Sequence, residues 1–350
     1  MNNKYSICLV DMSYILYRNI FSISAGKKPG EYNSGDVIRC TIQTLNKLPR
    51  DWGVSFDKCI MIYDRWHPDY QGYIRTNMLK GAYKDSRGDI EEAKGKADPL
   101  STYMTKEKYE KMKADPDISQ DDLEKAYEKL YFNEVKYDAK WNMVKGLKNF
   151  GVPCLGVAGY EFDDLAYIAA MMMYDENAKP SVIVTKDSDL QYCLTPKMDY
   201  FKLPTRGSEP EIITYNQMYS TIPAELRGKI SLYKYKAILD SAGEGHNGMR
   251  KTRKDRVNLT EMVLHVLNDD YSDFEDPDLF KLQLSTFDVG KFPGIEEAKR
   301  TVRDLFPTAG KLGSLQEFHD FCDKYQVEGI SDRYFTEFIS RFDQKMYTER

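Results

Sequence analysis

Short apolar runs alternate with amphipathic stretches over the first 205 residues of the chain. Five runs have the length and composition of buried strands: Tyr5 to Val10, Lys58 to Tyr63, Val152 to Val157, Ser181 to Thr185 and Tyr200 to Leu203. Helical spacing of apolar positions predicts helices from Asn33 or Ser34 to Pro49, over 142–150 and from Phe162 to Tyr174. This alternation predicts an α/β fold with a mostly parallel central sheet flanked by helices.

Two regions depart from the alternation. Residues 88–130 are highly charged and contain few large aliphatic side chains, which predicts mobile or exposed helices. Beyond residue 208 the chain lacks convincing buried strands and shows helical periodicity with basic and acidic blocks. We therefore expect a domain boundary near Gly207, with an α/β domain over 1–207 and a helical domain over 208–350.

The composition is that of a globular protein whose chemistry depends on carboxylates. Hydrophobic residues make up 41% of the 350 residues and charged residues 30%, which excludes a collagen-like or disordered chain. The six cysteines form no Cys-x-x-Cys pair, and only four histidines are present. Few residues are therefore available to form a zinc site or a histidine relay. No apolar stretch approaches roughly 18 residues and the beginning of the chain lacks a signal-peptide pattern, so we expect a cytoplasmic location without membrane contact.

The net charge of −5 at first argues against a nucleic-acid partner, because phosphate binding is driven by lysine and arginine. An enzyme that stores acidic residues to hold metal lowers its own net charge, however. A binding surface would then appear as local basic patches.

Seven acidic residues fall just past the ends of predicted strands: Asp11, Asp64, Glu161, Asp163, Asp164, Asp187 and Asp189. The carboxyl ends of parallel strands meet at one edge of a sheet, so these side chains are predicted to converge. Each has a simpler explanation when taken alone. Asp11 or Asp64 can cap the next helix, Glu161 and Asp164 can form a capping arrangement, and the Asp187 segment can be a polar loop.

Converging carboxylates would repel one another strongly unless a cation lay among them. Oxygen ligands favour hard ions, so Mg²⁺ is the expected cofactor, with Mn²⁺ as an alternative. Two such ions roughly 4 Å apart can stabilise both the attacking and the leaving oxygen of a phosphoryl transfer. The sequence therefore predicts a site for two divalent ions.

Four segments together resemble the metal-site motifs of the 5′→3′ exonuclease and flap endonuclease family. They are Gly-Tyr-Glu-Phe-Asp-Asp at 159–164, Thr-Lys-Asp-Ser-Asp-Leu at 185–190, and the two strands that end at Asp11 and Asp64. The segment 82–87, Ala-Tyr-Lys-Asp-Ser-Arg, resembles the family's basic element, and 284–293 resembles a C-terminal segment of the phage ribonuclease H branch. The resemblance implies a PIN-like 5′-nuclease domain followed by a helical DNA-binding domain.

The resemblance also implies roles for a basic segment and for the charged region after it. Lys84 and Arg87, together with Arg75, would hold the scissile phosphate, Tyr83 would stack on a flanking base, and Lys80 would contact DNA. Residues 88–130 would correspond to an arch or clamp over single-stranded DNA. The alternative for the basic segment is an ordinary exposed amphipathic helix.

One loop departs from the family pattern. Members of the family have further metal ligands in a Gly-Asp-x-x-Asp-Asn loop that opens a helix-turn-helix motif, and this chain has Asp-Ser-Ala-Gly-Glu-Gly-His-Asn-Gly at 240–248. Glu244 can replace the first aspartate, but the neutral Asn247 stands where the second is expected, and His246 is new. A shifted alignment would make Asp240 the ligand instead. The second metal site is therefore expected to be weak or to fill only with substrate.

A basic cluster follows this loop and contains Arg250, Lys251, Arg253 and Lys254. Such a cluster suits contacts to duplex phosphates without sequence readout, although a solvated helix face would have the same composition. The sequence thus predicts a metal nuclease acting on DNA or an RNA/DNA hybrid with a 5′ end, flap or fork. By the resemblance it would remove RNA primers or flaps in phage replication in the host cytoplasm, with a single-stranded-DNA-binding protein or a sliding clamp as partner. The rivals are a non-catalytic structure-specific DNA-binding protein and a phosphatase of small substrates.

Overall fold

The computed structural model describes residues 3–66, 73–79, 104–175, 180–205, 208–244, 251–305 and 313–340. Six strands form one mostly parallel sheet in the order β3-β2-β1-β4-β5-β6. Their bounds are β1 Asn3–Asp11, β2 Val54–Ile62, β3 Cys154–Leu155, β4 Ser181–Thr185, β5 Met198–Lys202 and β6 Glu211–Ile213. The predicted α/β class is confirmed.

Strand β4 shows why the strands of the sheet can be predicted from the sequence. All five of its residues are buried, three of them β-branched valine or isoleucine, and its bounds are those predicted. It pairs in parallel with β5, so that Ser181 lies opposite Met198. Strand β5 then pairs antiparallel with β6, which the sequence did not predict because β6 has only three residues, none of them buried.

Helices occupy most of the remaining described chain. Before β4 they are α1 Met12–Ser24, α2 Ser34–Arg50, α3 Ile74–Met78, α4 Lys106–Ala114, α5 Gln120–Asn149 and α6 Phe162–Asp175. After β6 they are α7 Tyr215–Tyr219, α8 Leu232–Ser241, α9 Leu259–Leu267, α10 Pro277–Ser285, α11 Ile295–Leu305, α12 Leu315–Tyr325 and α13 Asp332–Ser340. Short 3₁₀ helices lie at Ser188–Cys193, Ala224–Leu226 and Val289–Lys291.

Helix α2 begins at the predicted cap. Asn33 accepts a hydrogen bond from the Asp36 backbone N–H, and the Asp36 carboxylate accepts one in return from the Asn33 N–H. Helix α1 was not predicted. Tyr17 and Phe21 project from its exposed face, which blurs the contrast between apolar and polar sides on which the prediction depends.

The charged region 88–130 is described from residue 104 onward. Helix α4 buries none of its side chains, as predicted for an exposed helix. Helix α5 is much longer than the predicted helix over 142–150. Its buried face includes small and polar residues such as Ala126, Asn133 and Gly146, so the apolar periodicity is weak over its first half.

The chain divides into two compact units. The first comprises Met1–Met61, Gly95–Cys154 and Thr308–Arg350, and the second comprises Ile62–Lys94 and Leu155–Pro307. In the first unit Phe150 packs edge-on against Phe318, Phe321 and Phe335. In the second, helix α11 packs on α6, and Tyr160 packs against Phe292. A functional boundary near residue 207 stays a prediction.

None of the helices in the described part of the chain combines the length and the apolar character of a membrane-spanning helix.

Candidate active site

Asp64 is fixed at the start of the helix that carries three other predicted site residues. It follows the buried Tyr63, whose backbone N–H donates to the Leu155 carbonyl at 3.0 Å. Asp64 Oδ1 accepts a hydrogen bond of 2.7 Å from the Phe162 N–H at the first residue of α6. The structure therefore brings Asp64 beside the Glu161-Asp163-Asp164 segment, 98 residues later in the chain, as predicted.

Tyr73 lies against the same two acidic segments. Burial raises the pKa of its hydroxyl, and the nearby carboxylates of Asp64 and Glu161 raise that pKa further. The neutral phenol therefore persists beside these acids.

Arg75 is the cation at the centre of this group. Its Nη2 lies 2.5 Å from Asp164 Oδ1, and its Nη1 lies 3.2 Å from Asp163 Oδ2 and 3.9 Å from Glu161 Oε2. Its guanidinium also lies 5.5 Å from the centre of the Phe287 ring. Only 4% of the Arg75 side chain is exposed, so Arg75 acts as an internal counter-charge. This position differs from the phosphate contact that the family resemblance implies.

Burial outweighs the effect of Arg75 on the protonation of Asp164. Burial raises the pKa of Asp164 to about 7, even though Arg75 lowers it, and the carboxylates of Glu161 and Asp163 raise it further. Asp164 Oδ2 also accepts a hydrogen bond of 3.1 Å from the Glu161 N–H, which is the capping arrangement considered for these two residues.

Asp187 connects the acids on α6 with those that follow β4. Its Oδ1 accepts a hydrogen bond of 3.0 Å from the Asp189 N–H and caps the 3₁₀ helix that begins at Ser188. Burial raises the pKa of Asp187 to about 6, and the Asp163 carboxylate is the next largest cause. The Asp163 carboxylate therefore disfavours the charged form of Asp187, and the predicted convergence of these two motifs on a metal stays a prediction.

Lys236 is a site residue that the sequence analysis missed. Its ammonium on α8 lies 3.1 Å from Asp189 Oδ1 and contacts both carboxylate oxygens of Asp240. Burial lowers the pKa of Lys236, but the carboxylates of Asp240 and Asp189 outweigh burial, so its pKa is raised and it stays charged. The spacing of Lys236 and Asp240, four residues apart on one helix, was the available signal.

Glu244, the other predicted ligand of the second metal, is also paired with a cation. Arg253 donates from Nε to Glu244 Oε1 at 2.7 Å, and its Nη2 lies 2.6 Å from the same oxygen. Arg253 also donates from Nη1 to the Val257 carbonyl at 2.7 Å. Arg253 therefore stabilises the loop through these contacts. Lys251, by contrast, is half exposed and pairs with Asp255 on the protein surface.

Asp11 ends β1 in the other compact unit. Its Oδ1 accepts a hydrogen bond of 2.8 Å from the Tyr14 N–H, so it caps α1, as its simpler explanation predicted. Its convergence with the other carboxylates stays a prediction. Several predicted residues lie outside the described residues, and their roles also stay predictions: Lys80, Tyr83, Lys84, Arg87, His246, Asn247 and Arg250.

The carboxylates differ in their fit to a hard cation. Over the residues that the structure describes, no three aspartate, glutamate, histidine or cysteine side chains are already arranged to hold a metal ion. Asp64, Glu161, Asp163 and Asp187 all belong to the second unit. Arg75 pairs with Glu161 and Asp163, and burial, followed by the Asp163 carboxylate, raises the pKa of Asp187. This all-oxygen set fits Mg²⁺ or Mn²⁺. Asp189, Asp240 and Glu244 do not fit as well, because Lys236 and Arg253 already neutralise them.

Comparison with known proteins identifies the fold. No family model and no curated protein matches the chain. The flap endonuclease of bacteriophage T5, in a pseudo-enzyme–product complex with DNA and metal ions, superposes with a TM-score of 0.50 and 15% identity, covering 87% of this chain and 98% of that one. This likeness shows that the chain has the 5′-nuclease fold, as the motifs predicted.

Two further solved structures are more distant. The catalytic core of Rad2 with a DNA substrate gives a TM-score of 0.46 at 13% identity, covering 97% of this chain and 93% of that one. Human GEN1 in complex with Holliday junction DNA gives 0.43 at 13% identity, covering 96% of this chain and 71% of that one.

Proposed function

We propose that this chain, which has the 5′-nuclease fold, is a divalent-metal-dependent, structure-specific 5′→3′ nuclease that hydrolyses phosphodiester bonds. One observation carries the proposal: Asp64, Glu161, Asp163 and Asp187 come from three separate segments of one unit, where Asp64 bonds to the start of the helix that carries Asp163, and Asp163 contributes to the raised pKa of Asp187. Carboxylates that keep such repulsion in the folded protein are typical of sites that bind a hard cation.

The residues of the site have distinct roles in this proposal. Asp64, Glu161, Asp163 and Asp187 would hold the ion, and Asp11 would join them. A bound Mg²⁺ or Mn²⁺ would supply an activated water and stabilise the charge that develops on the phosphate. Arg75 positions Asp163 and fixes the start of α6 through Asp164. Lys84 and Arg87 would hold the scissile phosphate.

The substrate in this proposal is DNA or an RNA/DNA hybrid with a 5′ end, flap or fork. The T5 flap endonuclease was solved with DNA and metal ions, and its fold is the one found here. Exposed Lys251 and Lys254 lie in the segment that follows the acidic loop and would contact duplex phosphates. Primer removal of the ribonuclease H type during phage replication, aided by a single-stranded-DNA-binding protein or a sliding clamp, is the biological role we propose.

A non-catalytic structure-specific DNA-binding protein is the second candidate. The observation in its favour is that Arg75 and Lys236 are already ion-paired with five of the predicted site carboxylates: Glu161, Asp163, Asp164, Asp189 and Asp240. Such a protein would bind branched DNA without needing a divalent ion.

Cleavage of end-labelled DNA separates the two candidates. We expect the wild-type chain to cut a 5′-flap duplex in Mg²⁺, to leave a matched 3′-flap duplex largely intact, and to lose cleavage in EDTA. Binding of the 5′ flap without cleavage in Mg²⁺ or in Mn²⁺ would favour the non-catalytic candidate. Hydrolysis of a small phosphate monoester without cleavage of DNA would favour the phosphatase.

A further inference from the structure

The ammonium of Lys236 occupies the space between two carboxylates that the sequence assigned to metal binding. It lies 3.1 Å from Asp189 Oδ1 on one side and contacts Asp240 on the other. Asp189 belongs to the motif after β4, whereas Asp240 opens the loop in which the fold family carries further ligands. Lys236 therefore joins the two segments that a second divalent ion would otherwise join.

We propose that Lys236 is a built-in cation that replaces the second divalent metal ion, so that the chain binds one such ion. The inference rests on the proposed metal-dependent function and specifies the number of ions in it. A divalent ion beside the Lys236 ammonium would be repelled at close range, and Lys236 cannot move away without giving up its ion pairs with both Asp189 and the buried Asp240.

Contacts at the end of α8 hold this arrangement in place. The Asp240 side chain is completely buried, so it cannot turn outward to an ion. The carbonyl of the adjacent Ser241 accepts hydrogen bonds of 2.9 Å from Thr252 Oγ1 and 2.7 Å from Gln283 Nε2. The C-terminal end of α8 is therefore held in place by Thr252 and Gln283, which come from two other segments of the same unit.

Glu244, the other acidic residue of the loop 240–248, is withdrawn from metal binding in the same way. Glu244 pairs with Arg253, which is itself held by the Val257 carbonyl. Asp240 and Glu244, the two alternative ligands that the sequence offered, thus each have an arginine or lysine partner on the protein. The two pairs, Lys236 with Asp240 and Arg253 with Glu244, together support the replacement of the second metal ion by a cation of the protein.

Titration with Mn²⁺ in the absence of DNA tests the inference, with bound and free ion distinguished by electron paramagnetic resonance. We expect wild type to bind one Mn²⁺ per chain and Lys236→Met, which frees Asp189 and Asp240, to bind two. Lys236→Met should also melt at a lower temperature without Mn²⁺ and recover with it. The control is Lys234→Met, an exposed lysine of the same helix, which should bind one ion and melt like wild type.

Two outcomes overturn the inference while leaving the proposed function standing: wild type binding two Mn²⁺ ions, or folded Lys236→Met binding only one. If Lys236→Met fails to fold, the wild-type count and Lys236→Arg, which keeps the charge and should bind one ion, still decide the question. Wild type that binds no Mn²⁺ would instead contradict the proposed metal-dependent function and the inference with it. Two ions in wild type would leave the proposed function standing, so the two failures are distinguishable.

Discussion

Arg75 Nη2 lies 2.5 Å from Asp164 Oδ1, and the two side chains are only 4% and 1% exposed. This buried ion pair joins helix α3 to the first turn of α6, and Asp163 shares the same guanidinium. The acidic site is thus built around a cation from the protein itself.

Removal of this cation should destabilise the fold. At about pH 8, above the pKa of about 7 of Asp164, Arg75→Met leaves a charged Asp164 buried beside Glu161 and Asp163 without this partner, which should cost about 3–5 kcal/mol of unfolding free energy. Chemical denaturation of Arg75→Met measures the loss. Lys299→Met, which removes a surface ion pair with Glu296, is the control and should cost about 0.5 kcal/mol or less. Equal losses in the two variants would contradict the central role of Arg75.

The raised pKa of Asp164 should make stability depend on pH. Between pH 4 and pH 7 the folded protein keeps the proton on Asp164, whose pKa is about 7, while the unfolded chain has released it. The unfolding free energy therefore falls as pH rises through this window, by up to about 1.4 kcal/mol per pH unit for one group.

Asp164→Asn removes this contribution and isolates it. The difference in unfolding free energy between Asp164→Asn and wild type, measured without divalent ions, should shift in favour of the variant as pH rises from 4 to 7. A difference that is constant over this range would show that Asp164 is ionised in the folded protein.

Gly156 should be intolerant of a side chain because of Tyr63. A Cβ at Gly156 would lie 2.3 Å from the ring carbon Cζ of Tyr63, and that ring is buried. Gly156→Ala should therefore cost about 1–3 kcal/mol of unfolding free energy and slow DNA cleavage, because Tyr63 directly precedes Asp64. Gly290→Ala is the control, since its Cβ would meet nothing nearer than Asp288 Oδ1 at 3.5 Å. Similar stability of the two variants would contradict the packing argument.

The basic segment after the acidic loop should contribute to DNA binding through charge alone. Lys251→Gln/Lys254→Gln should weaken binding of a 5′-flap duplex regardless of sequence and lower the salt slope by about 1–2. Fluorescence anisotropy over a range of salt concentrations measures both effects. Lys291→Gln/Lys299→Gln removes two lysines elsewhere in the same unit and should leave the slope unchanged. An unchanged slope in the Lys251/Lys254 variant would exclude this surface.

The sheet was largely predictable because its strands have local signals. Ser181–Thr185 is apolar, β-branched and bounded by polar residues, so its bounds followed from the sequence. Helix α1 lacked such a signal because Tyr17 and Phe21 are exposed, and β6 was too short to show alternation. Elements were found where burial produces a periodic pattern and missed where it does not.

The sequence singled out the acidic residues of the candidate site, but it did not reveal the cations that pair with them. Asp64, Glu161 and Asp187 each come just after a predicted strand, and this position predicted that they lie at one edge of the sheet. Arg75, however, meets Asp163 across 88 residues of sequence, and no local pattern reveals such a pair. Lys236 and Asp240 could have been paired from their helical spacing, whereas the contact of Lys236 with Asp189 required the fold.

The most direct test is the rate of 5′-flap cleavage in Mg²⁺ by wild type, Asp187→Asn and the exposed-site control Asp278→Asn. The account predicts that Asp187→Asn cuts at least about 100-fold more slowly than wild type while binding the flap as tightly, and that Asp278→Asn cuts like wild type. Asp187→Asn that remains folded and cuts at the wild-type rate would contradict the assignment of this carboxylate group as the catalytic site.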